Sequence, residues 1–311
     1  MITFKNNSSV PPKAHVNHVD QLMRAYRDDV QRILVPIVER YCPLLTVDAA
    51  FELKKMLELS AKMTMVGHAC SEVAGYPFDE HRKIVSALYG ACCFLADSFI
   101  DDYGETVARD YIDRFELLLT KGWFTIKNER EELFYVIIAR LFMRRNALDP
   151  MVRQAIFSLF QAQKRDIMLR LDSAAFRQLP RNAQLLMLRQ CARDRSGHAI
   201  SVLARFVAPR MPLRSHHLLF LSGALIMYID DHGDCYADRR CKRVTYMNQV
   251  KFPRNALHKI YTGTIRRLSD ELPDNRGKRL LCAFLFRYYI TRIEKHDCER
   301  EKGGLSWSVY E

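Results

Sequence analysis

The sequence predicts an all-α protein, and three observations carry that expectation. Apolar residues recur at three-and-four spacing over most of the chain. Gly and Pro are sparse, 12 and 11 among 311 residues, which suits long helices better than many strands and hairpins. No alternating apolar and polar pattern competes with the helical one.

Taken in order, residues 1–16 read as a flexible N-terminal arm, because they carry Asn6-Asn7-Ser8-Ser9 and Pro11-Pro12. Residues 17–311 read as one domain of about ten helices. The first helix follows the stripe Val19, Leu22, Met23, Tyr26, Val30, Ile33, Leu34, Ile37 and Val38. Helical spacing continues over 47–74, 80–102, 106–120, 128–146, 149–172, 180–207, 214–240, 253–272 and 275–297. Short turns separate these stretches at Gly75-Tyr76-Pro77, Lys121-Gly122, 146–150, 209–212 and Leu272-Pro273-Asp274-Asn275, where Gly, Pro, Asn and Asp interrupt helix.

Composition narrows the function classes. Hydrophobic content of 49% with 27% charged residues is that of a globular chain. The N-terminus is polar where a signal peptide is apolar. The longest apolar run, 218–229, is 12 residues, short of the roughly 18 that a membrane span needs. Nine cysteines occur without a CxxC pair, the pattern of reduced structural thiols. A cytoplasmic protein without a transmembrane segment is the expectation. The net charge of +12 would suit a polyanion or a phosphorylated ligand, with Arg239, Arg240, Lys242 and Arg243 as a local basic cluster. No nucleic-acid-binding signature accompanies it, so no nucleic-acid partner is expected. Neither GxSxG, a Walker pattern nor GxGxxG occurs.

Two acidic clusters, each closing an apolar run, carry the chemistry. The first is Asp97-Ser98-Phe99-Ile100-Asp101-Asp102, with Glu105 on the same stripe; the second is Asp230-Asp231-His232-Gly233-Asp234-Cys235-Tyr236-Ala237-Asp238. Spacing by four stacks carboxylates on one helix face. Near a helix C-terminus each such acid is disfavoured by about 0.3–1 kcal/mol, so a cation must offset them. Hard oxygen donors without a paired histidine favour magnesium, or manganese, over zinc and copper. Magnesium so held keeps positions for substrate phosphate. Arg193, Arg195, Arg239, Arg240, Lys242 and Arg243 are the candidate partners of that phosphate.

These motifs resemble those of the class I terpenoid synthase superfamily. The first cluster fits its DDxxD/E motif in two registers, Asp97 to Asp101 and Asp101 to Glu105. The second resembles the (N/D)DxxSxxxE motif of terpene cyclases, with aspartate at all three ligand positions: Asp230, Asp234 and Asp238. It also fits the DDxxDxxxD of chain-elongating synthases and the DxxxD of squalene and phytoene synthases. Arg195-Ser196-Gly197-His198 is similar to a Gly-containing helix break that precedes the second motif in some cyclases, although an ordinary small-residue helix crossing explains Gly197 equally well. Arg287-Tyr288 is the available match to a C-terminal Arg-Tyr pair that closes on the diphosphate.

The resemblance implies a helical bundle around a central apolar cavity and a prenyl diphosphate as substrate. It implies three Mg2+ ions held by Asp97, Asp101, Glu105, Asp230, Asp234 and Asp238. Arg193, Arg195, Arg239, Arg287 and Tyr288 would bind the diphosphate, and aromatic residues such as Phe94, Phe99, Phe157, Phe160, Phe220 and Tyr228 would line the cavity. The implied reaction is ionisation and cyclisation of a linear prenyl diphosphate. Head-to-head coupling and chain elongation are the alternatives within the superfamily, and a non-catalytic basic helical binding protein is the alternative outside it. The sequence leaves open whether the chain acts alone or as a homodimer.

Overall fold

Each long helical stretch read from the periodicity coincides with a helix over its described residues in the computed structural model, which describes residues 10–47, 49–101, 105–144, 150–170 and 174–303. Among the described residues there is no strand. The order is α1 (Lys13–Tyr41), α2 (Leu44–Val47), α3 (Ala50–Val73), α4 (Glu80–Asp101), α5 (Glu105–Lys121), α6 (Glu129–Arg144) and α7 (Pro150–Arg170). It continues with α8 (Ala174–Gln178), α9 (Arg181–Val207), α10 (Leu213–Gly233), α11 (Cys235–Arg240), α12 (Tyr246–Gln249), α13 (Pro253–Glu271) and α14 (Arg276–Gly303).

The differences from the expected boundaries are local. Helix α1 already opens at Lys13, inside the span read as an arm, with Pro12 as its N-cap; residues 1–9 lie outside the described residues. The stretch 214–240 divides at Asp234 into α10 and α11. Register survives this division, because the Asp234 N–H donates to the Asp230 carbonyl at 2.9 Å and the Asp238 N–H to the Asp234 carbonyl at 2.8 Å. The one-turn helices α2, α8 and α12 carry too few residues to show a period.

The apolar stripe of α1 explains how the bundle closes. Val19, Tyr26, Val30, Leu34, Ile37 and Val38 are buried, and Leu22, Met23 and Ile33 pack against the same core from its edge. That core joins α1, α3–α7, α9, α10, α13 and α14. Helices α3 with α4, and α9 with α10, form two hairpins with the most extensive pairings, while α14 packs on both α3 and α10. Near the middle of α9, Arg195 reaches Asp97 in the last turns of α4 and acts on the Asp231 carboxyl in the last turn of α10. Residues 80–100 of α4 are long and apolar enough to cross a membrane, but 56% of that window is buried inside the fold. Helix α4 instead packs against α3, α5, α6 and α9.

One buried ion pair fixes α5 on α6. Arg114 donates to both carboxylate oxygens of Glu131, each at 2.7 Å, and to the Thr125 carbonyl at 2.7 Å. Satisfying both partners this way makes burial of the charges tolerable. The nine cysteines are free thiols; Cys42, Cys70, Cys191 and Cys235 are buried, whereas Cys241 and Cys298 are exposed.

Candidate active site

A cavity of about 280 Å³ runs through the bundle between α3–α7, α9, α10 and α14. This is near the lower end of ligand pockets, roughly 300–1,000 Å³. Its walls are apolar: Met63 and Val66 on α3, Phe115 and Leu118 on α5, Phe134 and Leu141 on α6, Phe160 on α7 and Phe206 on α9. Of the aromatic residues expected there, Phe160 alone lines it. Tyr89, Tyr111, Phe115, Phe134, Phe142, Phe206 and Phe284 form the aromatic surface instead. Phe99 is a core residue whose ring lies tilted against Tyr111 with centroids 4.7 Å apart, Phe157 is exposed, and Phe220 packs on His198.

Charged residues gather at one end of this cavity. Asp97 from the first cluster and Asp230 from the second both line it, as do Lys62, Gln163, Arg195, Tyr288 and Arg292. Arg195 bridges two helices, with an Nη at 2.9 Å from Asp166 on α7 and the other at 3.7 Å from Asp97 on α4. Gln163 donates to Asp97 at 3.3 Å. Across the mouth, the Tyr288 hydroxyl donates to Asp230 at 2.5 Å. Arg292 pairs with Asp230, reaches Asp234 at 3.5 Å and touches the Tyr288 oxygen. Lys295, one helical turn on, pairs with Asp234.

Two close helix approaches set this geometry. A Cβ on Gly223 of α10 would lie 2.4 Å from the Ser196 carbonyl oxygen of α9, so glycine allows the contact that places Arg195 and Asp230 around one mouth. A Cβ on Gly233 would lie 2.8 Å from the Arg292 side chain. Glycine there lets the arginine lie along α10 and reach both aspartates. Helix α9 runs unbroken through Gly197, whose missing Cβ makes room for Phe220. The expected helix break is therefore absent, and the small-residue crossing holds.

Burial shapes the charges. It pushes the Asp231 carboxyl well above the usual carboxylate range, with Asp230, Asp238 and Asp166 adding to the rise and Arg195 opposing it. It pulls the Lys62 ammonium below its ordinary value, against the pull of Asp230. Burial also works to discharge Arg292, but Asp230, Tyr288 and Asp234 together outweigh it.

The other expected site residues fall elsewhere. Arg193 binds its neighbour Asp194 at 2.8 Å and lies over Phe220, away from the cavity lining. Arg239 donates to the Asn248 carbonyl at 3.0 Å. Arg287 pairs with Asp20 of α1 at 3.0 Å, on a different face of α14 from Tyr288. Adjacent helical residues point about 100° apart, so Tyr288 shares its face with Arg292 and Lys295, not with Arg287. Asp238 follows on α11 and does not line the cavity, although its charge reaches Asp231. The side chains of Asp101 and Glu105 lie outside the described residues. Lys62, Gln163, Asp166, Arg292 and Lys295 went unread in the sequence.

Among the described residues no group of three or more His, Cys, Asp or Glu side chains converges to hold a metal ion. The donor set is nonetheless all carboxylate oxygen, which suits magnesium. Asp230 and Asp234 meet protein cations in this state, so a metal there would displace Arg292 or Lys295. No family model, curated protein or solved structure matches the chain.

Proposed function

We propose that this chain is a Mg2+-dependent terpene synthase of the class I type, which ionises a linear prenyl diphosphate and cyclises the allylic cation. One observation carries the proposal. Asp97 and Asp230, from two acid clusters far apart in sequence, meet with Arg195 and Arg292 at the charged end of an otherwise apolar cavity. Such a site has one end for a multiply charged head group and the other for a hydrocarbon chain.

Bound magnesium would supply Lewis-acid activation of the leaving diphosphate, with Asp97, Asp230 and Asp234 as the described residues able to hold it. The chain's own side chains do the rest. Arg195 and Arg292 place positive charge where negative charge grows on the leaving group, in a mouth already organised by Asp166, Gln163 and Tyr288. The apolar walls exclude water from the allylic fragment, and the faces of Phe115, Phe134 and Phe160 attract a cation by about 0.5–2 kcal/mol each when desolvated.

A second reading draws on the ion pairs. Because Arg292, Lys295 and Arg195 already compensate Asp230, Asp234 and Asp97, the mouth is stable without metal and fits a binding protein that performs no chemistry. Product analysis separates the two. Purified protein with Mg2+ and geranyl, farnesyl or geranylgeranyl diphosphate should release a hydrocarbon or terpene alcohol, and Asp230→Asn should lose at least about 100-fold in rate, the scale of a removed electrostatic contact. Longer prenyl diphosphates as sole products would replace cyclisation by elongation. Unchanged substrate in every assay would leave the binding reading.

A further inference from the structure

Three of the four cations around the mouth have carboxylate partners: Arg195 with Asp97 and Asp166, Arg292 with Asp230 and Asp234, and Lys295 with Asp234. Lys62 is different. Its neighbours one turn away on either side, Leu59 and Val66, line the cavity with it, so the phase of α3 points this lysine into the mouth. Its ammonium lies 5.3 Å over the ring of Tyr288 and forms no ion pair among the described residues. A lysine that merely covers apolar surface carries its ammonium out to water. Here the ammonium stays inside, within the field of Asp230, Glu58 and Asp234. The tyrosine face offsets part of the cost of burying it but supplies no counter-charge.

We infer that Lys62 is an anion-binding residue, donating from α3 to a phosphate oxygen of the ligand that Arg195 meets from α9 and Arg292 from α14. The inference rests on the diphosphate reading of this mouth. Its chemistry is that of a compact point charge with three rotatable donors, suited to a terminal phosphoryl group in changing orientations. The neighbouring aspartates do not need it, because each already has a cation of its own. Of these four cations, Lys62 is the one whose ammonium is held against no carboxylate among the described residues, so its N–H donors face an incoming oxyanion without first breaking an ion pair.

The test is calorimetric titration of inorganic diphosphate with Mg2+ into the full chain as wild type, Lys62→Met and Lys62→Arg. Wild type should bind, Lys62→Met should bind about 10- to 100-fold more weakly, as for loss of a charged hydrogen bond, and Lys62→Arg should recover most of the affinity. Equal binding by wild type and Lys62→Met overturns the inference while leaving the diphosphate reading intact. No binding by wild type overturns both. Should Lys62→Met fail to fold, reductive methylation of the wild-type chain decides: diphosphate with Mg2+ should slow modification of Lys62 several-fold, and unaltered modification overturns the inference.

Discussion

Replacing Arg292 by methionine removes the group on which the charge balance of the mouth turns while keeping most of its packing volume. Arg292 serves two carboxylates and touches the Tyr288 oxygen. A hydrogen bond to a charged group contributes about 1.5–3 kcal/mol when buried. Asp230 and Asp234 keep 38% and 29% of their side-chain surface exposed, so water screens and partly replaces the lost donor. Lys295 stays on Asp234 and the Tyr288 hydroxyl on Asp230. The expected loss is therefore about 2 kcal/mol, not the 3–5 kcal/mol of a fully buried broken pair, which for a chain of 311 residues corresponds to a fall in Tm of roughly 3 °C. Differential scanning calorimetry at neutral pH measures it. Repeating the scan with millimolar Mg2+ should raise the Tm of Arg292→Met more than that of wild type, because the variant has lost the cation that competes for the same oxygens. A variant within about 0.5 kcal/mol of wild type, with equal Mg2+ shifts in both, would refute the reasoning.

Two further outcomes follow from the same structure. Gly223→Ala sets a Cβ against the Ser196 backbone at 2.4 Å, which a helix backbone cannot relieve by rotation; urea unfolding should show a loss of about 1–3 kcal/mol, and a neutral result would mean that the α9–α10 crossing is loose. Burial holds His68, His198, His216, His232 and His296 below the ordinary imidazole range, so the unfolded chain takes up protons that the folded chain refuses. Stability should be full above about pH 6.5 and fall as pH drops below it, while Asp231, whose carboxyl is raised, opposes that trend with one group against five. Urea midpoints at pH 7.5, 6.5 and 5.5 check this, and a flat profile would contradict it.

The helices were legible because period 3.6 leaves a mark wherever one face is buried, as the nine-residue stripe of α1 shows. Their ends were legible where Pro and Gly interrupt, as at Pro180 and Pro212. Within the acid clusters, Asp97 and Asp230 could be read because acids closing apolar runs violate the pattern around them. Their partners could not. Arg292 and Lys295 stand in a stretch of α14 where charged residues alternate with apolar ones, and nothing local separates a lysine facing the mouth from one facing solvent. Tyr288 was reached by its adjacency to Arg287, whereas the helix pairs it with the arginine four residues on. Lys62 and Asp166 carry no local signal, since what selects them is the crossing of α3 with α14 and of α7 with α9.

The acids at the ends of α4 and α10 demand positive charge, which by spacing and residue type alone a metal would supply. In the fold the demand is met first by side chains: Arg195 answers for Asp97, and Arg292 with Lys295 answers for Asp230 and Asp234. This changes what a metal would have to do. A divalent cation arriving alone must displace a guanidinium or ammonium from each carboxylate and leave that group without a counter-ion in a partly buried mouth, which is unfavourable. A diphosphate arriving alone finds most of the cations engaged. Arriving together, each removes the penalty of the other, because the carboxylates pass to the metal and the released cations pass to the phosphate oxygens. Such coupling is reciprocal by thermodynamic necessity, so under the proposed function diphosphate would strengthen Mg2+ binding by the same factor by which Mg2+ strengthens diphosphate binding. On the proposed reading, the ion pairs of the resting mouth would hold its carboxylates until a ligand carrying both the anion and its metal displaced them.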